Sequence, residues 1–187
     1  MDLQSVLRDV LNDNVVSKIA KSTGATNQQV EQVIDLGLPT ILGKLAQNTT
    51  NQAGAKALDA AVAKDHTAGS LMESLSGMFD GGNRNDEGQK ILSHVFGDTS
   101  SAEKAISKKS GIDPSMVALI LSFLAPLVMA QLGKQKSSGG LDMGGLGDLL
   151  QKQTDSKGNI LMDVATAVLD KNRDGSMLDD IFGMFRK

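Results

Sequence analysis

The sequence predicts an all-α protein: a multi-helix bundle with an internal duplication, followed by a C-terminal helix-loop-helix. Three observations carry this. Apolar residues recur at helical spacing, as in Leu3, Val6, Leu7, Val10 and Leu11, and again in Val30, Val33, Ile34, Leu38, Ile41, Leu42 and Leu45. The composition suits helices, with aromatics at only 3%, no Trp and no Tyr, and a preponderance of small and straight-chain residues. The chain also repeats itself. Shifted by 87 residues, Gly24 falls on Gly111, Val30 on Val117 and Pro39 on Pro126.

Taken in order, the first helix is expected over about 2 to 12 and a second over about 14 to 23, with Val15, Val16 and Ile19 apolar and Gly24 as its stop. Thr26 or Asn27 caps a longer helix that reaches about Ala46. Pro39 lies inside it and should kink it rather than end it, because the apolar period continues past the ring. An alanine-rich helix follows from Ala53 to Ala63, and another from Ser70 to Phe79. Gly81-Gly82-Asn83-Arg84-Asn85-Asp86 is turn chemistry, and the next helix carries Ile91, Leu92, Val95 and Phe96.

The repeat then sets in. Lys21 matches Lys108, Val33 matches Ile120, Ile34 matches Leu121, Ile41 matches Val128 and Leu45 matches Leu132, without a gap. A short helix, a glycine stop and a long proline-kinked helix are thus used twice. Two such units can pack about a pseudo-twofold axis, each covering the other's apolar stripe. The second copy is the more apolar. Met116 to Ala130 holds one polar residue, Ser122, over fifteen positions, whereas about twenty are needed to span a bilayer. The segment therefore reads as the central helix of a bundle rather than a membrane span.

Residues 136–147, rich in Gly and Ser, read as a linker. The expected organisation is a duplicated core over 1–135, that linker, and a helix-loop-helix over 148–187.

Charge and composition exclude several function classes. The net charge of the 187 residues is -3, and neither the part up to residue 135 nor the remainder is strongly charged. Lys104, Lys108 and Lys109 are the nearest thing to a basic stripe and read as a solvated helix face. With few aromatics to stack on bases, no nucleic-acid partner is expected. The absence of cysteine removes disulfides, zinc-thiolate sites and cysteine nucleophiles. Met1-Asp2-Leu3-Gln4-Ser5 lacks a basic segment leading into an apolar run, so the expected location is cytoplasmic.

One constellation carries chemistry. Asp170-Lys171-Asn172-Arg173-Asp174-Gly175-Ser176 contains the alternating-oxygen core of an EF-hand calcium loop. Asp170, Asn172 and Asp174 offer side-chain oxygens, Ser176 a backbone carbonyl, and Gly175 the sharp bend. The twelfth position, which should hold a bidentate Glu, is Ile181. Asp179 and Asp180 precede it and reach the ion only if the exiting helix starts early. Calcium bound here is therefore expected to be weakly held. A metal-free reading stands beside this one. Asp-Gly is a turn dipeptide, and Ser176 with Asp179 is a helix-start pair, which together explain everything but the alternation of Asp170 and Asn172.

His66 and His94 have no ligand-type spacing to one another, and no nucleophile has a base beside it. The chain is read as a non-enzyme: a binding or interaction protein whose partner is another protein or a second copy. The alternatives are a metal-free structural or self-associating protein, and an enzyme whose site assembles only in the fold.

The Gly24-to-Pro39 segment with Leu42-Gly43-Lys44-Leu45, the stretch Gly88-Gln89-Lys90-Ile91-Leu92-Ser93-His94-Val95-Phe96-Gly97, and the repeat from Gly111 to Pro126 together resemble the bacterial family called domain of unknown function 937. The segment at 170–175 is also similar to what some members carry. The resemblance covers most of the chain. It implies an all-helical bacterial protein, and it brings no activity, substrate or catalytic residue to carry over.

Overall fold

The computed structural model describes residues 3–65, 84–139 and 143–155. These form eight helices and no strand: α1 (Leu3–Val10), α2 (Asp13–Thr23), α3 (Asn27–Thr49), α4 (Gln52–Asp65), α5 (Arg84–Phe96), α6 (Ser100–Ser110), α7 (Pro114–Gly139) and α8 (Met143–Asp155). The all-α expectation holds. The helix expected over 70–79 lies outside the described residues. Arg84, Asn85 and Asp86, expected in a turn, open α5 instead.

Local chemistry fixes the helix ends. The Asn12 side chain accepts from the backbone N–H of Asn14 at 3.1 Å and of Val15 at 3.3 Å, which starts α2. Gly24, at φ 75°, ends it in the left-handed region that glycine enters without a Cβ penalty. Thr26 and Gln29 form a reciprocal capping box at the start of α3, at 3.2 and 2.9 Å. That helix runs 23 residues through Pro39 to Thr49, one turn beyond the expected end. At α7, Pro114 takes the first helical position, where a missing N–H costs nothing. Asp113 just before it accepts from the hydroxyl of Ser115 and, at 2.9 Å, from its N–H. The hydroxyl bond first and the backbone bond second hold the Asp113 carboxyl below its ordinary pKa of 3.8.

Both ends of α2 and the start of α3 recur at the 87-residue offset. Shifting Asp13–Thr23 gives Ser100–Ser110, and shifting Asn27 gives Pro114. Equivalent hydroxyls make equivalent bonds: Thr23 Oγ1 donates to the Ile19 carbonyl and Ser110 Oγ to the Ile106 carbonyl, each at 2.8 Å. Packing is reciprocal as well, since α3 lies on α5 and α6 while α7 lies on α1 and α2.

The centre of the molecule is α7. Every residue from Ile120 to Gly133 is buried. By length and hydropathy α7 could cross a membrane, but 83% of its most apolar window is buried inside the protein. The core-helix expectation is right for its burial. The length argument behind it fails, because the apolar run of fifteen lies within a helix of 26 residues. Against its middle lies α5. The Ser122 carbonyl would ordinarily bond the N–H at position 126, which is proline and has none. A Cβ at Gly88 would collide with that same carbonyl, so only glycine lets the two helices approach this closely.

The linker expectation needs correction. Residues 136–139 continue α7, and Met143 already begins α8. Lys136 Nζ reaches Asp59 Oδ1 at 2.6 Å and the Asp59 carbonyl at 3.3 Å, tying α7 to α4. Leu146 and Leu150 of α8 join the main hydrophobic core, which therefore does not stop at residue 135. Apolar side chains facing α3 and α4 outweigh the low helix propensity of the glycines around them.

Candidate functional site

Two helices, α4 and α5, rest on α3 and α7. Between them lies a groove of about 480 Å³. One wall is α4, presenting Ala57, Leu58 and Ala61. The other is α5, where Glu87, Lys90, Ile91, His94 and Val95 share a face because they are spaced at i, i+3, i+4, i+7 and i+8. Leu45 of α3 and Met129 of α7 also line it. The groove exists because the alanines of α4 are too short to fill it.

Several polar side chains at the groove hold the helices in place. Asn48 Nδ2 donates to the Val95 carbonyl at 2.8 Å, satisfying one of the orphan acceptors in the last turn of α5. The Asn51 side chain accepts from the Gly54 N–H at 2.7 Å and so caps α4. A Cβ at Gly54 would strike the Asn48 carbonyl, so this tight α3–α4 corner needs glycine. His94 Nδ1 lies 2.8 Å from the Lys90 carbonyl. A carbonyl can only accept, so Nδ1 carries the proton, and Nε2 is the ring's remaining polar atom. Glu87, Lys90 and His94 are all exposed. The outcome is an apolar trough with an acid, a base and an imidazole along one rim. Pockets of this size and polarity take apolar bodies with a few polar contacts.

The residues expected to hold calcium, Asp170, Asn172, Asp174, Ser176, Asp179 and Asp180, lie outside the described residues, as does His66. Among the described residues no group of three or more His, Asp or Glu side chains is placed to hold a metal ion. His94 is the one singled-out residue that falls at the groove. Lys104, Lys108 and Lys109 are exposed on α6. Asn48, Asn51, Glu87 and Lys90 were not anticipated. The available signal was the alanine spacing of α4 opposite a helix that carries charge and apolar residues on the same face.

Fold and groove together define an all-helical protein built on a buried central helix, with a cleft between two of the helices packed on it. The family description "Bacterial protein of unknown function (DUF937)" matches residues 5–135, and the chain belongs to that family. The match covers most of α1, all of α2 to α6 and most of α7. No curated protein and no solved structure matches the chain.

Proposed function

We propose that the protein is a non-catalytic binding module whose groove between α4 and α5 accepts the apolar face of a helical segment. The observation that carries this is the groove itself: an apolar trough of about 480 Å³ between two helices, with charges only at its rim. That is the geometry of helix-in-groove recognition, where apolar anchors one turn apart enter the trough and polar flanks stay in water. The non-catalytic reading is supported by Asn48 and Asn51, whose side chains are engaged in holding helices. The matching boundaries at the 87-residue offset support a core made of two copies of one unit.

A dye with an apolar body and an anionic head, 8-anilinonaphthalene-1-sulfonate, serves as a probe. It should bind the full chain saturably at one site. Ala57→Glu places a carboxylate in the trough from an exposed position and should weaken that binding about tenfold or more. Equal binding by wild type and Ala57→Glu would remove the groove as the site.

A second reading concerns the alternation Asp170, Asn172, Asp174. We propose that this loop takes calcium weakly, since Ile181 replaces the bidentate acid. Calorimetric titration of the chelator-treated chain should show about one ion per chain, lost in Asp170→Ala/Asp174→Ala. Absence of heat at millimolar calcium would reduce the loop to a turn and a cap.

A further inference from the structure

The walls of the groove set terms for what lies in it. We propose that the groove selects amphipathic helices that bear a carboxylate beside their apolar anchors, and that Lys90 sets this preference. The inference rests on the groove being a docking site for a helix, as argued above.

The apolar half of the match follows from side-chain size. On α4 the groove is lined by Gly54, Ala57 and Ala61, at i, i+3 and i+7, with Leu58 beside them. Small residues in that register let a second helix come close and leave room for its larger anchors. Leu45 and Met129 complete the apolar lining, and methionine adapts readily to the shape packed against it. Leucine-sized anchors at i, i+3, i+4 and i+7 on the occupant suit such a trough.

The polar half follows from charge. Glu87 supplies the carboxylate and Lys90 the ammonium on the α5 wall. Among the described residues neither has a hydrogen-bond or ion-pair partner, although three residues separate them on one face. The α4 wall adds no charge. Lys56 is two residues from both Gly54 and Leu58, which turns it off the lined face. Asp59 is tied to Lys136.

The two groups on α5 are not equivalent. Glu87 stands in the first turn, where the positive end of the helix offsets a carboxylate. Lys90 lies a turn further in, beside Ile91 in sequence, and its charge is left for the occupant to answer. A carboxylate flanking the occupant's apolar face does so, and a lysine there is repelled. Rim charges of this kind choose partners more than they add affinity.

The test uses the full chain and labelled helical peptides with leucine at i, i+3, i+4 and i+7. Both positions flanking that apolar face carry Glu, Gln or Lys, so the result does not depend on which way the peptide lies. Fluorescence anisotropy should rank them Glu, Gln, Lys, with the Glu peptide about fivefold tighter than the Lys peptide. Lys90→Glu should reverse the order and Lys90→Arg should keep it. Equal affinities, or a preference that survives Lys90→Glu, would overturn the proposal. The uncharged Gln peptide separates that failure from failure of the groove reading. If Ala57→Glu still weakens its binding about tenfold, the groove stands without the charge rule. Binding of the Gln peptide that is absent, or indifferent to Ala57→Glu, overturns both.

Discussion

A methyl group added at Gly88 would meet the backbone carbonyl of Ser122, which cannot retreat without moving α7. A methyl group at Gly37 would lie 2.6 Å from Leu121 Cδ2, the far end of a side chain that can turn aside. Alanine gains roughly 1 kcal/mol over glycine in a helix, while forced overpacking costs about 1–3 kcal/mol. The two sites should therefore separate in denaturant unfolding. Gly88→Ala is expected to lose about 2 kcal/mol or more, because backbone has to shift, and Gly37→Ala to stay near neutral. Equal losses would mean that the α5–α7 crossing is no tighter than the α3–α7 one. Neither constraint was legible in the sequence. A glycine inside a helical pattern says only that propensity is low, and which backbone lies opposite depends on contacts distant in the chain. Gly24 and Gly111 were legible, because a helix stop needs a positive φ and its neighbours announce it.

Among the elements, α8 shows best what local reading misses. Gly139, Gly140, Gly144, Gly145 and Gly147 have the composition of a tether, and composition alone predicts one. Yet Leu146 and Leu150 are 1% and 0% exposed, and the small Gly147 sits beside Thr49 of α3. Small residues here permit close approach. If α8 belongs to the core, Leu150→Ala should cost about 2–5 kcal/mol and lower the midpoint of one cooperative transition. A tethered appendage would instead leave the transition in place. Long helices were the readable ones. The apolar period of α3 and the nearly unbroken apolar run of α7 identified both as helices, and Thr26 announced its own cap. The groove was not readable, because its walls, α4 and α5, are packed side by side only through α3 and α7.

At the scale of the whole molecule, the protein is an all-helical member of a bacterial family of unknown function, arranged around one buried helix. Packing of α3 on α7, with the shorter helices laid against both, closes the core without disulfides, of which the sequence has none to offer. Among the described residues, that packing leaves a trough between α4 and α5, and the account turns on whether it binds an apolar ligand. Methyl-resolved NMR of the full chain titrated with 8-anilinonaphthalene-1-sulfonate tests this most directly. Saturable shifts of the methyls of Leu58, Ile91 and Met129, which line the trough, are the predicted result. Shifts at methyls away from the trough with none at these three would contradict it.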